Sequence, residues 1–339
     1  MSEPFSQILL RWYAAEGRQL PWRSTRDPYL IWVSEIVLQQ TRVSQGLDYY
    51  RRFVDRFPSV EHLARASEDE VLRMWQGLGY YSRARNMHAA AQRICEMGAF
   101  PGDYETIRSL PGIGDYTAAA IVSFAFDAPY AVVDGNVYRV LSRYFAIETP
   151  MDSTAGRREY KALASEMLDK DNSAQYNQAI MDFGAIVCTP QHPSCSSCPL
   201  ADSCLALAKG AVLSYPRKER AVRVRDRFFT YLLFSLEGRI LLQRRPPGDI
   251  WQGLYQLPLI ETDTPLSEDA LAIRVGRPAS RLIVTGKIHQ LSHQRLHADC
   301  YEFDVLSAEE VKFEGIWVEE SRLEDYAMPR LLLDILERR

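Results

Sequence analysis

From the N-terminus to about Leu213, apolar residues recur at three- and four-residue intervals, the spacing of helices with one buried face. The opening stretch, "MSEPFSQILLRWYAAEGRQLPW", reads as an amphipathic helix with scattered charges. In "DPYLIWVSEIVLQQTRV", Asp27 sits at the N-cap and Pro28 at the first helical position. "SEDEVLRMWQGLG" opens on a capping box, Ser67 with Glu70, and Gly77 closes it. "STAGRREYKALASEMLDK" and "SAQYNQAIMDFGAIV" continue the helical period. "SYPRKERAVRVRDR" is then polar, basic and aperiodic, and reads as a linker. Beyond it come short strand-like runs: "FFTYLLFSL", "RILLQRR", "LYQLPLI", "RLIVTGKI" and "RLHADCYEFDV". "RLLLDILERR" reads as a last helix. The pattern predicts an all-α region over 1–213, a basic linker over 214–227 and a smaller α+β domain over 228–339.

"SLPGIGDYTAAAIVSFAF", Ser109 to Phe126, places two glycines two apart at the mouth of a strongly apolar helix. A dinucleotide fingerprint needs a preceding strand and a third small residue, and Thr117 occupies that third position. The upstream "YETIRSL" has helical spacing instead, and Pro111 ends that helix. The object is helix, tight glycine turn, helix. The N–H groups opening the second helix offer an anion site, but on these residues alone the object reads as an αα-corner inside a helical bundle unless residues nearby need a phosphate.

Composition is that of an ordinary globular chain, and 339 residues suffice for two domains. No run is long and apolar enough to span a membrane, and the N-terminus lacks the form of a signal peptide, so a cytoplasmic protein is expected. A net charge of −4 argues weakly against a nucleic-acid partner. Its distribution argues the other way. Arg73 to Arg93 holds arginines and aromatics with no acid, as do "QQTRVSQGL" and "GNVYRVLSR".

Six cysteines are present, and four fall in "CTPQHPSCSSCPLADSC" as C-x6-C-x2-C-x5-C: Cys188, Cys195, Cys198 and Cys204. In a reducing compartment this grouping points to a metal rather than to disulfides. Four thiolates suit zinc or a [4Fe–4S] cluster, and their confinement to one proline-rich loop favours the cluster.

With these residues in view the chain resembles the helix-hairpin-helix DNA glycosylases, and within them the MutY branch of adenine glycosylases. The hairpin L-P-G-[IV]-G is Leu110 to Gly114, the D-G-N motif starts at Asp134, and the cysteine spacing matches residue for residue. W-x-S-E-x-x-L-Q-Q-T, Trp32 to Thr41, supplies Glu35. The resemblance implies a helical barrel beside a cluster-bearing helical subdomain, followed by a Nudix-like domain. It implies Glu35 as the acid for the leaving adenine, Asp134 as the carboxylate beside C1′, and Asn136 as its orienting partner. Tyr116 stands where strand-cleaving relatives carry a Schiff-base lysine, which implies a monofunctional hydrolase. Leu110, Gly112 and Gly114 are expected at a DNA phosphate, with a monovalent cation as a further ligand there. Gln40, Tyr80, Arg23 and Arg83 are expected to contact DNA, Gln40 and Tyr80 at the partner base.

No Nudix box, G-x5-E-x7-R-E-x-x-E-E, occurs between Gly253 and Leu306, so the C-terminal domain is expected to read a base rather than cut a pyrophosphate. Its lesion-reading loop, often F-S-H in the family, corresponds to Leu291, Ser292 and His293, where leucine keeps an apolar wedge. The implied partner is duplex DNA with adenine opposite 8-oxoguanine or guanine, bound by a monomer. Two alternatives are a thymine-mismatch or oxidised-pyrimidine glycosylase on the same scaffold, and a non-catalytic iron–sulfur DNA-binding protein. Glu35 and the extra domain argue against the first, and the retained carboxyl pair against the second.

Overall fold

A computed structural model describes residues 3–219 and 224–339. The helices of the first two-thirds are α1 (Phe5–Glu16), α2 (Pro28–Leu38), α3 (Val43–Arg56), α4 (Val60–Arg65), α5 (Glu68–Met74), α6 (Ser82–Met97), α7 (Tyr104–Arg108), α8 (Asp115–Phe126), α9 (Gly135–Phe145), α10 (Thr154–Met167), α11 (Ser173–Ile186) and α12 (Leu205–Ala208). Their starts follow the expected capping chemistry. Asp27 accepts the Tyr29 N–H at 2.8 Å and Ser67 the Glu70 N–H at 3.2 Å. The second apolar run ends earlier than its pattern predicts. α2 stops at Leu38, and Gln40 takes a left-handed φ of 58°.

The chain divides into two units, one of Met1–Ala64 with Ala89–Ala221 and one of Arg65–His88 with Val222–Arg339. The first unit is helical. α8 is buried along most of its length, and its apolar residues pack with α2 and α11. Phe5, Leu9, Val140, Tyr160 and Phe183 form a further core where α1, α9, α10 and α11 meet. Residues 65–88, expected with the helical region, belong to the second unit instead. Arg244 pairs with Glu68 and Asp69 at 3.1 and 2.9 Å, Arg85 donates to the Gln252 carbonyl at 2.6 Å, and Gln76 accepts the Met328 N–H at 3.1 Å. These bonds join positions far apart in sequence, which no local pattern reports.

Among the described residues of the second unit, seven strands form one sheet: β1 (Arg225–Leu236), β2 (Arg239–Arg244), β3 (Tyr255–Gln256), β4 (Leu259–Thr262), β5 (Arg281–Gln290), β6 (Gln294–Asp304) and β7 (Ile316–Glu319). β1 runs parallel to β6, with Phe229 opposite Ala298, while β6 pairs antiparallel with β5. α13 (Glu268–Val275) and α14 (Arg330–Leu336) cover opposite faces. Phe229, Tyr231 and Leu233 pack with Leu331, Leu332 and Ile335, while Leu232, Phe234 and Leu236 pack with Leu271 and Val275. Burial on both faces explains why "FFTYLLFSL" is continuously apolar rather than alternating.

The expected linker 214–227 needs two corrections. Its start is docked on the first unit, where buried Tyr215 hydrogen-bonds Glu148 and the Arg217 carbonyl accepts the Met151 N–H. Its end already belongs to β1. The part at 220–223 lies outside the described residues. Among the described residues no helix is long and apolar enough to cross a membrane.

One close approach positions the D-G-N motif. A Cβ at Gly184 of α11 would lie 2.7 Å from the Asn136 Cβ and 3.0 Å from its carbonyl oxygen. Gly184→Ala is therefore expected to push the start of α9 away, at a cost of about 1–3 kcal/mol. Thermal unfolding of the variant beside wild type measures it.

Candidate active site

A cleft of the helical unit has a volume of about 800 Å³, within the usual range for a ligand site. Glu35, Tyr116, Asp134 and Asn136 line it, and they come from α2, α8 and the start of α9. Glu35 is buried, at 6% exposure, on a helix whose Ile31 and Trp32 are also buried. Tyr116 Oη donates to Glu35 Oε2 at 2.8 Å. Burial pushes the Glu35 carboxyl up and the nearby Asp134 adds to this, against the Tyr116 hydrogen bond and Arg23, so that it rests at about 7. Burial, with the charges of Glu35 and Asp134, holds the Tyr116 phenol well above its ordinary value.

Asp134 is the N-cap of α9. Its Oδ1 accepts the N–H groups of Asn136 and Val137 at 2.8 Å each, and its Oδ2 accepts Asn136 Nδ2–H at 2.7 Å. Burial still raises its carboxyl above the ordinary range, against those three donors and Arg139. The helix N-terminus thus only partly offsets desolvation. All three contacts are N–H donors, the hydrogen-bonding pattern of a carboxylate.

Arg139 is a neighbour of the Asp134–Asn136 pair that sequence reasoning missed. It donates to Asn136 Oδ1, the Gly184 carbonyl and the Cys188 carbonyl, each at 2.7 Å. Hydrogen bonds therefore run unbroken from Asp134 through Asn136 and Arg139 to the first cysteine of the loop. Arg143, one turn further along α9, donates to the carbonyls of Thr189 and Pro190 at 2.7 and 2.9 Å and to Cys188 Sγ at 3.4 Å. All four loop cysteines, Cys188, Cys195, Cys198 and Cys204, line one small cavity. Among the described residues no group of three or more His, Cys, Asp or Glu is drawn together around a single ion. Four thiols around one cavity, braced by Arg143, fit a polynuclear cluster.

At the hairpin, Gly112 takes a φ of 74°, which a Cβ would strain, while Gly114 is extended and open to solvent. Both glycines are exposed, whereas the Leu110 side chain is buried and anchors the turn from beneath. Arg23, expected at DNA, lines the cleft and pairs with buried Asp182 at 2.6 Å. Gln40 is exposed and lines the cleft in its left-handed conformation.

A second cleft, of about 530 Å³, lies within the other unit. Tyr80 and the Leu291–His293 loop both line it, and Tyr80 Oη hydrogen-bonds Ser292 Oγ. Tyr80 is 49% exposed with a φ of 46°, a strained conformation for a bulky residue. The Arg83 guanidinium lies over the Tyr80 and Trp75 rings, at 5.5 and 5.2 Å, so it props Tyr80 rather than reaching outward. Leu291 opens the three-residue turn between β5 and β6 but packs against the core, so its side chain is not the free apolar wedge its sequence position suggests. Ser292 and His293 are exposed. Trp251 and His289, 5.8 Å apart edge to face, complete an aromatic wall.

A family model for HhH-GPD superfamily base excision DNA repair proteins matches residues 33–164, one for the NUDIX domain matches 230–338, and one for the iron–sulfur binding domain of endonuclease III matches 188–204. The adenine DNA glycosylase of Buchnera aphidicola subsp. Schizaphis graminum is 30% identical over 98% of both chains. That of Mus musculus is 35% identical over 88% of this chain and 70% of its own, and that of Homo sapiens 34% identical over 88% and 66%. Among solved structures, a thermostable thymine-DNA glycosylase aligns with a TM-score of 0.56 at 29% identity, over 60% of this chain and 95% of its own. A non-covalent endonuclease III–DNA complex aligns at 0.53 and 22% identity, over 60% and 94%, a likeness of fold.

The position of Glu35 has a cost in stability with a definite sign. Its folded-state value of about 7 lies above the ordinary 4.5, so the folded chain holds the proton more tightly than the unfolded one. The associated stability is complete below about pH 4.5 and is lost as pH rises through 7. Glu35→Gln is expected to be more stable than wild type at pH 8, by roughly 3 kcal/mol, and nearly equal to it at pH 5. Melting curves at the two pH values check this.

Proposed function

The chain belongs to the adenine DNA glycosylase family, and from that premise we propose that it excises adenine mispaired with 8-oxoguanine or guanine, leaving an abasic site in an uncut strand. The observation that carries the reading is a carboxyl buried to hold its proton near pH 7, sharing one cleft with a carboxylate bound by three N–H donors.

In the proposed reaction adenine leaves the stack and enters this cleft. Glu35 gives its proton to N7, the bond from N9 to C1′ breaks, and its electron pair stays on the base. The Asp134 carboxylate stabilises the sugar cation. Water then adds at C1′ and returns a proton to Glu35. Tyr116 holds the Glu35 carboxyl, and Asn136 holds that of Asp134. Tyr116 has no amine for a Schiff base, and no lysine lines the cleft among the described residues, which supports simple hydrolysis. One chain supplies every group, which supports action as a monomer. The exposed hairpin glycines Gly112 and Gly114 offer backbone N–H groups to a DNA phosphate, joined by a monovalent cation. Gln40 and Tyr80 meet the partner base, and Ser292 and His293 read it. Six free cysteines suit the reducing cytoplasm.

The chain carries an iron–sulfur binding domain over 188–204. Cys188, Cys195, Cys198 and Cys204 are the proposed ligands of its [4Fe–4S] cluster, which ties the loop into one fold. Cys198→Ser is expected to reduce iron below the roughly four atoms per chain of such a cluster and to lower the melting temperature. Iron analysis beside a melting curve tests the assignment, and unchanged iron in the variant would remove Cys198 from the ligand set.

A single-turnover assay tests the reaction. Duplexes carrying adenine opposite 8-oxoguanine or guanine should be processed, and thymine opposite guanine should not, with no strand cut before alkali. Asp134→Asn should slow release at least about 10²–10³-fold while mismatch binding survives. Glu35→Gln should do similar damage with adenine, yet much less with a base that leaves unprotonated. Equal losses on both substrates would contradict the division of labour.

A further inference from the structure

Asp182 is a buried charged group that the reaction described above does not use. It lies on α11 with its side chain fully buried, behind the wall of the catalytic cleft. Arg23 Nη1 and Nη2 donate to its two oxygens at 2.6 and 2.7 Å. Arg18 adds its backbone N–H at 3.0 Å and its Nε at 2.9 Å. Burial alone would push this carboxyl up, but Arg23 and Arg18 outweigh it and hold it below the usual range, so it is ionised. Arg18 and Arg23 themselves line the cleft with Glu35. Two guanidinium charges therefore stand on one wall, with one carboxylate behind them.

Resting on the glycosylase reading, we infer that Asp182 is a positioning residue for the acid step: its carboxylate pins Arg18 and Arg23 against the cleft wall and cancels charge that would otherwise act on Glu35. The groups facing Glu35 are Tyr116 from α8, Asp134 from the start of α9 and Arg23 from the turn at Pro21–Arg23. Tyr116 and Arg23 both favour the ionised form, and Arg23 is the full charge among them. Arg23 ends the short 3-10 helix Pro21–Arg23, and its guanidinium is directed by the bonds it makes to Asp182 and, at 3.0 Å, to the Arg18 carbonyl. The groups facing Asp182 are Arg18, Arg23 and, more remotely, the Tyr13 phenol. Without the carboxylate, an unbalanced cation in a low-dielectric site would drive the proton off Glu35.

Asp182→Asn keeps the shape and removes the charge. In single-turnover excision of adenine under saturating enzyme, the basic limb of its pH–rate profile should fall roughly one pH unit below that of wild type. Its loss at pH 8 should then be about tenfold greater than its loss at pH 5.5. A base that leaves unprotonated should show no such shift. Arg23→Gln should move the limb the opposite way, to higher pH, and it carries the test if Asp182→Asn folds poorly. A uniform loss across pH, with the limb in place for either folded variant, would overturn the inference and leave Asp182 a structural ion-pair partner. A wild-type profile with no limb that depends on Glu35 would instead overturn the acid role proposed for Glu35, and failure to release adenine at any pH would overturn the glycosylase reading itself.

Discussion

Taking the Glu35 carboxyl out of water is the act around which the helical unit is arranged. A carboxyl at 6% exposure among Ile31 and Trp32 resists ionisation, and the fold meets this by keeping the proton on rather than by supplying a full counter-charge. Tyr116 gives one hydrogen bond. Arg23 gives a cation whose charge is largely taken up by Asp182. The same desolvation that holds the Glu35 proton near neutral pH withholds stability above it.

The second carboxyl is handled by the opposite device. Asp134 is also removed from solvent, but it is met by three N–H donors at the opening of α9. Burial raises both carboxyls of this cleft, but against different surroundings: one Tyr116 hydrogen bond at Glu35 and three N–H donors at Asp134. The geometry of Asp134 is in turn fixed from behind. Asn136 is pressed by Gly184 and bonded by Arg139, and Arg139 reaches the Cys188 carbonyl. Direct contacts therefore join the cysteine loop to the start of α9.

The second unit rests on a different constraint. A strand buried on both faces, β1, carries two cores and fixes the register of β6, which ends the turn bearing Ser292 and His293. Tyr80 is held from three sides: its own left-handed backbone, the Arg83 guanidinium over its ring, and the hydroxyl of Ser292. A side chain both strained and exposed is one that the surrounding structure over-determines, and such residues mark contact sites.

The sequence by itself determined the helices and their caps, the strands, the glycine hairpin, and the four cysteines, because each depends on residues within one or two turns or on a fixed spacing. It also named Glu35 and Asp134, through motifs. What it did not carry were the partners. Arg23 looked like a DNA contact and is bound by Asp182, 159 positions away. Arg83 turns inward onto Tyr80 and Trp75, and Leu291 packs into a core. Residues 65–88 read as part of the helical region but pack with the sheet unit. Arg139 and Gly184 carried no signal, since an arginine on a helix and a glycine near its end are ordinary until the opposing surface is known. A side chain's type limits what it is able to bind, but its direction, burial and charge balance come from groups distant in sequence, and only the tertiary structure decides those.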